Sequence, residues 1–315
     1  MSEWSVAEPQ KLTFPEPVSE LRVRIVGGTV NVVGTDEGSA RLEVSEIEGP
    51  PLTVTQRDGT LTVAYEDLTW KDFLTWPDRG SRRRSAVVSL AVPARADVEL
   101  GVVGATAVVS GTQGRTEVKG VCGDTTLVGL TGPVRADTVS GDLEAQALTG
   151  DLRFHSVSGD LTVVEAGSSV RAESVSGSMI LDLDPAGRPT DVSLTGVSGE
   201  IAVRLPHPAD AQVEAGTTGG TVSSAFEDLR VTGRWGAKRI TGRLGAGNGR
   251  LKVTTVSGSI ALLRRPAEEE PWDRAPQDAG PAGGAQGGPG DNSVSGRDDG
   301  ATGAPADGST DKKVL

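Results

Sequence analysis

The sequence predicts an all-β fold built from nine-residue repeats, a β-solenoid, and three observations lead to this prediction. Glycines recur at steps of nine in the middle of the chain, at Gly114, Gly123, Gly132, Gly141, Gly150 and Gly159. Apolar residues stand two positions before these glycines and two and four positions after them, which is typical of a strand with one buried face. Aromatic residues make up only 3% of the chain, so a narrow core is expected.

The repeat also assigns side chains to the core. Around Gly141 the expected inward residues are Val139, Leu143 and Ala145, and the next repeats add Leu148, Leu152, Phe154, Val157, Leu161 and Val163. Leu143, Leu152 and Leu161 should therefore point inward in successive repeats.

An odd repeat length determines how the chain must turn. Strict alternation through nine residues would point the apolar side chains of every second repeat outward. Each repeat therefore needs a corner that restores their inward direction. Ser-Gly-Asp triplets such as residues 140–142 supply it, because glycine tolerates unusual backbone angles and Ser and Asp hydrogen-bond turns. Two repeats per turn predict a two-sided solenoid of about 18 residues per turn. A three-sided helix with about 27 per turn and an antiparallel sandwich or barrel are the alternatives.

Strand patterns also flank the regular repeats. Residues 20–65 contain several, with a hairpin turn predicted at Asp58-Gly59, and looser copies of the repeat continue to residue 263. The organisation that we predict is a flexible N-terminus at 1–11 and one solenoid domain at 12–265, interrupted by an aromatic and basic insertion at about 66–85. An acidic tail rich in Gly, Pro and Ala at 266–315 should be disordered, because it has too few apolar residues to bury.

The short units Val-Ser-Gly-Asp/Ser/Glu-Leu/Ile, with GGTVNV near the start and VSGSIAL near the end, carry a family resemblance. Through them the chain resembles the bacterial putative-adhesin β-strand-repeat family, the domain of unknown function numbered 4097, over roughly residues 20–263. The resemblance implies a single-stranded, right-handed β-helix or a close relative. It implies no activity, because the family has no established reaction.

Signals for catalysis or metal binding are weak. Two repeats per turn would stack Asp124, Asp142 and Asp160 about 4.8 Å apart, but at that turn position each side chain can simply accept backbone hydrogen bonds. Calcium-binding β-rolls need paired glycines that these units lack, and His155 and His207 are too few for a histidine-rich metal site. The sequence predicts no catalytic residue, metal or cofactor, and an enzyme acting on a polysaccharide along a β-helix is the alternative.

A first candidate interaction surface is the segment of residues 65–85. Its aromatic residues are Tyr65, Trp70, Phe73 and Trp76, and its arginines are Arg79, Arg82, Arg83 and Arg84. The segment is interpreted either as a cap over apolar surface or as a docking element for a protein partner or a membrane surface, with Trp70, Phe73, Trp76 and the four arginines as candidate contacts.

A second candidate surface is a basic block inside a chain of net charge −12. Between residues 230 and 265 there is no acidic residue but nine basic ones, Arg230, Arg234, Lys238, Arg239, Arg243, Arg250, Lys252, Arg264 and Arg265. The first seven are candidate contacts for an anionic polymer. With one aromatic residue and no binding motif in the block, sequence-specific nucleic-acid binding is not expected. The acidic tail is interpreted either as partly masking this block or as a solubilising tail without fixed contacts.

The function predicted from these features is a non-catalytic scaffold or adhesin-like binding module, most simply for a protein partner. A polymer-acting enzyme and a protein that binds polyanions or membrane surfaces are the alternatives. The sequence MSEWSVAEPQ at the start lacks a basic, apolar leader, and no stretch reaches 18 apolar residues. Both features predict a cytoplasmic location.

Overall fold

The computed structural model describes residues 2–65, 84–184, 190–234 and 236–265, which form 26 β-strands and no helix. The first thirteen strands are β1 (Ser2–Val6), β2 (Gln10–Phe14), β3 (Glu20–Ile25), β4 (Gly27–Thr35), β5 (Ala40–Glu48), β6 (Leu52–Arg57), β7 (Thr60–Tyr65), β8 (Ser85–Pro93), β9 (Asp97–Val102), β10 (Thr106–Ser110), β11 (Thr116–Gly120), β12 (Thr125–Val128) and β13 (Val134–Thr138). The others are β14 (Leu143–Leu148), β15 (Leu152–Ser156), β16 (Leu161–Ala166), β17 (Val170–Ser174), β18 (Met179–Leu183), β19 (Asp191–Gly196), β20 (Glu200–Leu205), β21 (Ala211–Thr217), β22 (Val222–Ser224), β23 (Arg230–Arg234), β24 (Ala237–Leu244), β25 (Gly249–Thr255) and β26 (Ser259–Arg264).

The strands form two sheets. The 14-stranded sheet has the order β1-β6-β7-β3-β9-β11-β13-β15-β17-β19-β25-β21-β24-β23, and the 12-stranded sheet has the order β2-β5-β8-β4-β10-β12-β14-β16-β18-β20-β26-β22. From β9 to β20, consecutive strands belong alternately to the two sheets, and neighbours within each sheet are parallel.

Neighbouring parallel strands pair residues that are two nine-residue repeats apart in the sequence. Val134 lies opposite Leu152, and Leu152 opposite Val170, a step of 18 residues. Leu143 and Leu161 pair with the same step in the other sheet. From β9 to β18 the step is the length of two repeats, as the two-sided geometry predicts, and the final steps to β19 and β20 are 22 residues. Within the described part of the chain, β9 to β20 show neither a 27-residue step nor antiparallel pairing.

Inward side chains fill the space between the sheets. Leu143, Leu152 and Leu161 are each 1% exposed, which confirms their predicted orientation. Full burial of such a side chain contributes about 1.5–3 kcal/mol to the free energy of folding.

Val139 and Val157, however, are 42% and 51% exposed, so the prediction that they point inward is wrong. The preceding residues Thr138 and Ser156 are the last inward positions of their strands, and the valine that follows begins the corner.

Corner glycines are required by close packing between successive 18-residue units. A Cβ atom on Gly159 would overlap the carbonyl group of Gly141, and one on Gly141 would overlap that of Gly123. Neither Gly141 nor Gly159 has a positive φ angle. Glycine is required at these corners, as predicted, but the reason is close approach of two backbones rather than an unusual backbone angle.

The N-terminal end of the fold contains antiparallel strands. β6 pairs with β7 through the predicted hairpin, where Asp58 and Gly59 have φ angles of 50° and 79°. Residues 2–6, expected to be flexible, form the strand β1 alongside β6. Val6 is fully buried, and Trp4 packs edge-to-face on Phe14 with the ring centroids 5.1 Å apart, which explains why this short segment joins the sheet.

The C-terminal end departs from the regular alternation. In the 14-stranded sheet β25 pairs with β19, and β21 lies between β25 and the antiparallel pair β24 and β23. Phe226 and Leu229 precede β23 and are 7% and 6% exposed, and the Arg264 guanidinium lies 5.2 Å from the Phe226 ring centroid. The basic block is therefore folded across several adjacent strands.

Candidate binding surface

The outer face of the 14-stranded sheet carries a row of cationic side chains. Outward residues directly opposite one another across β11, β13, β15, β17, β19 and β25 are Glu117, Arg135, Arg153, Arg171, Ser193 and Lys252. Neighbouring strands in a sheet lie about 4.8 Å apart. Three arginines thus stand on three successive strands, and Lys252 follows two strands later.

A second row lies beside the first, at the beginning of the strands. Asp151, Ser169, Asp191 and Arg250 occupy it on successive strands. Side chains from both rows line an open depression of about 450 Å³, including Arg153, Arg171, Arg250 and Lys252. The depression therefore collects four cations and two carboxylates on one exposed surface.

Ion pairing divides the cations of this face into two groups. The Arg135 Nε atom donates to Asp137 at 2.7 Å, and this hydrogen bond raises the pKa of Arg135 above its usual value. Among the described residues, Arg153, Arg171, Arg250 and Lys252 form no ion pair and no side-chain hydrogen bond. These four exposed cations are available to an anionic ligand.

The outer face of the 12-stranded sheet is different. Its corresponding row across β10, β12, β14, β16, β18, β20 and β26 holds Val108, Thr126, Glu144, Thr162, Ile180, Ala202 and Ala261. This row has one carboxylate and no cation. The two rows thus differ in charge: the row of the 14-stranded sheet is mostly cationic, and the row of the 12-stranded sheet is almost uncharged.

The predicted basic block is divided by the fold. Arg230 and Arg234 lie on β23, Lys238, Arg239 and Arg243 on β24, and Arg250 and Lys252 on β25, all in the 14-stranded sheet. Arg264 and Arg265 belong to or follow β26 in the other sheet, where Arg265 forms an ion pair of 2.7 Å with Asp182.

Alternation then separates the residues that share the 14-stranded sheet. Arg239 and Arg243 lie opposite Gly216 and Gln212, whereas Lys238 lies opposite the buried Thr217, on the other side of the strand. Arg239 Nη2 lies 3.6 Å from Glu214 Oε1. The run of nine basic residues is consequently not one continuous face.

Two residues of the depression were missed by the sequence analysis. Arg153 and Arg171 lie outside the basic block, and they reach Lys252 only because β25 returns to pair with β19. The signal was present as arginines at a spacing of 18, at Arg135, Arg153 and Arg171. It would have been found by aligning the outward positions of every second repeat.

The structure describes only the two ends of the aromatic and basic segment, Tyr65 and residues 84–85. Trp70, Phe73, Trp76, Arg79, Arg82 and Arg83 lie outside the described residues, as does the acidic tail. At the boundaries of the segment, Tyr65 is 1% exposed and the Arg84 guanidinium lies 5.7 Å from its ring centroid. Burial raises the pKa of Tyr65. Tyr65 is thus a core residue that Arg84 covers.

The stacked aspartates have a structural role, as predicted for their turn position. The backbone N–H of Asp142 donates to Asp124 Oδ1 at 3.1 Å, and that of Asp160 to Asp142 Oδ1 at 2.8 Å. Serine completes the corner, because the Ser158 hydroxyl donates to the Val139 carbonyl at 3.3 Å. Cys122 occupies the same corner position two 18-residue units before Ser158 and is exposed.

Other titratable groups are dispersed. His155 Nδ1 lies 3.0 Å from Asp137 Oδ1, and His207 precedes Pro208 in a separate loop. Hydrogen bonds from the backbone and side chain of Asn248 lower the pKa of Asp210. The part of the chain that the structure describes contains no cluster of three or more His, Cys, Asp or Glu side chains arranged to bind a metal ion.

Comparison with known proteins finds similar solved structures at low sequence identity. No family model and no curated protein matches the sequence. Similar solved structures include a "putative cell adhesion protein" from Clostridium sporogenes (13% identity, 82% of this chain and 100% of that chain, TM-score 0.30) and a "putative adhesin" from Bacteroides fragilis (12% identity, 82% and 98%, TM-score 0.44). A "putative lipid binding protein" from Parabacteroides distasonis is also similar (12% identity, 82% and 98%, TM-score 0.39).

The described part of the chain contains no helix that is long and apolar enough to span a membrane.

Proposed function

We propose that this chain is a non-catalytic β-solenoid, of the right-handed β-helical kind implied by its resemblance to the domain of unknown function 4097 family, and that it acts as a binding module or scaffold. The support for a solenoid is the alternation of strands between two parallel sheets with an 18-residue register. Stacking such units creates extended outer faces on which a partner can lie.

The observation that carries the proposal is the row of cations on the 14-stranded sheet, which has no counterpart in the corresponding row of the 12-stranded sheet. In one row of the 14-stranded sheet, five of the six residues from Glu117 to Lys252 are charged, and four of these are cations. Unpaired cations on a surface concentrate anionic partners and accelerate their association. The 14-stranded sheet is therefore proposed as the binding face, for a partner that carries negative charge.

An enzyme acting on a polymer is the second candidate, and one observation favours it. Asp151 and Asp191 line the same depression and are separated by two strand spacings, about 10 Å. The paired carboxylates of inverting glycosidases are about 6.5–9.5 Å apart. Against this candidate, both aspartates are exposed and Asp151 Oδ1 accepts a hydrogen bond from the Ser168 hydroxyl at 2.6 Å. Incubation with polysaccharides and measurement of their chain length tests it.

Retention of the full chain on immobilised heparin, a general polyanion, tests the proposed binding face. The triple variant Arg153→Ser, Arg171→Ser and Arg243→Ser should elute at much lower salt than the unmodified protein, because three outward cations of this face are removed. A matched triple variant, Lys11→Ser, Arg41→Ser and Arg95→Ser, lowers the net charge equally at sites away from this face, two of them on β2 and β5 of the 12-stranded sheet.

The matched variant should elute like the unmodified protein. If the unmodified protein is not retained, or if both variants lose retention equally, the 14-stranded sheet is not a binding face. Far-ultraviolet circular dichroism of all three proteins should be the same, which shows that a lost retention is not a lost fold.

A further inference from the structure

We propose that the depression around Arg153 and Arg171 is part of a track that binds a linear acidic polysaccharide. In this interaction Arg153, Arg171, Arg250 and Lys252 bind the carboxylates of the polymer, and Asp151 and Asp191 accept hydrogen bonds from its hydroxyl groups. The inference rests on the proposed function, since it names the ligand class of the same face.

The cations of the track are placed to bind successive anionic groups. Arg153 and Arg171 are direct neighbours on β15 and β17, and Lys252 is in the same row on β25. Arg250 lies in the adjacent row opposite Asp191. Guanidinium groups bind carboxylates through two parallel hydrogen bonds, and among the described residues these guanidinium groups have no other partner.

The shape of the surface favours a polymer over a small anion. A second depression of about 330 Å³ adjoins the first, and the two share Arg153 and Asp151 in their walls. Together they extend from β11 to β25. The distance from β13 to β25 alone is four strand spacings, about 19 Å. A shallow surface of this length can hold several units of an extended chain, whereas small ligands are usually enclosed.

The mixture of charges favours a polysaccharide over a nucleic acid. Duplex DNA carries one negative charge per about 1.7 Å, and its phosphates would lie close to the carboxylates of Asp151 and Asp191. Both carboxylates are exposed on this surface and can accept hydrogen bonds from sugar hydroxyl groups. No aromatic residue is among the described residues that line the two depressions, so bases would find no stacking platform.

Serines in the track are consistent with the same ligand. Ser169 and Ser193 lie between the charged residues and can donate to or accept from a hydroxyl group. If the ligand is an acidic polysaccharide, we expect the protein to meet it in the cell envelope. The cytoplasmic location remains a prediction from the sequence.

Isothermal titration of the full chain with polygalacturonate oligomers, inorganic polyphosphate and neutral dextran tests the inference. The unmodified protein should bind polygalacturonate and not dextran. The double variant Arg153→Ser and Arg171→Ser should weaken that binding by about tenfold or more, because two charge-assisted contacts are lost. The control is Arg41→Ser with Arg95→Ser, which removes the same charge away from the outer face of the 14-stranded sheet and should leave the affinity within about twofold.

The single variant Asp191→Ala separates recognition of sugar hydroxyls from simple charge attraction. It should weaken polygalacturonate binding, because a hydroxyl acceptor is lost, and strengthen polyphosphate binding, because a repulsive charge is removed. Stronger binding of both polymers would mean that Asp191 only repels anions, and the polysaccharide assignment would be wrong.

Failure of the inference is distinguishable from failure of the proposed function. If polygalacturonate does not bind while heparin retention still depends on Arg153 and Arg171, the face binds polyanions but not this ligand class. If neither heparin nor any of the three polymers binds, the proposed binding face itself is wrong. Shortening of the polygalacturonate during the titration would instead support the enzyme.

Discussion

At the scale of single residues, each letter of the Val-Ser-Gly-Asp corner has its own physical role. The serine hydroxyl donates to a carbonyl group of the preceding 18-residue unit, and the aspartate accepts a backbone N–H from the following unit. The glycine permits close approach of two backbones. The valine side chain is exposed and lies outside the core. Its apolar character alone led to the wrong prediction that it points inward.

The different environments of Leu152 and Val157 give the first residue-scale prediction. Leu152→Asp places an unpaired charge in the core, where Leu152 is 1% exposed, and should cost several kcal/mol and abolish cooperative unfolding. Val157→Asp is its control, since Val157 is 51% exposed, and should change the free energy of unfolding by less than about 0.5 kcal/mol. Thermal unfolding followed by circular dichroism measures both. Similar melting curves for the two variants would show that the inward assignment of Leu152 is incorrect.

The close approach at the corner glycines gives a second prediction. Gly159→Ala introduces a methyl group that overlaps the Gly141 carbonyl, so the stacked units must move apart, at a cost of about 1–3 kcal/mol. Gly38→Ala is the matched control, because a Cβ atom there meets no other atom within 4 Å. Chemical denaturation should separate the two variants. An unaffected Gly159→Ala protein would contradict the packing of the corner.

At the scale of strands, the repeat was sufficient to predict most of the central fold. The apolar residues two positions after each glycine, Leu143, Leu152 and Leu161, point inward as predicted. The predicted hairpin at Asp58-Gly59 is also confirmed. These features depend on local alternation and turn chemistry, which a single sequence contains. The place of β21 between β25 and β24 could not be predicted, because pairing of strands distant in sequence depends on the whole sheet.

The same limit applied to the candidate binding surface. Residues 230–265 were correctly identified as rich in cations, but the last strand of the segment, β26, belongs to the other sheet, so Arg265 pairs with Asp182 instead of joining Lys252. Conversely, Arg171 is far from Lys252 in sequence and lines the same depression. Contiguity in sequence is therefore a poor guide to a face in this fold, whereas a spacing of 18 is a good one.

At the scale of the whole molecule, the two sheets differ in one row of outward residues. The 12-stranded sheet presents Thr126, Glu144, Thr162 and Ile180 in the row where the 14-stranded sheet presents arginines. A net charge of −12 would repel polyanions from the molecule on average, so binding must come from a local concentration of cations. The central claim is that this concentration, around Arg153 and Arg171, is the binding site.

Arginine footprinting of the full chain tests that claim most directly. The protein is treated with phenylglyoxal with and without saturating polygalacturonate, and the modified arginines are located by mass spectrometry. Bound carboxylates should protect Arg153, Arg171 and Arg250, while Arg41 and Arg95, which lie outside the track, should react equally in both samples. Protection of Arg41 or Arg95 without protection of Arg153 and Arg171, or uniform reactivity despite saturation, would contradict the account.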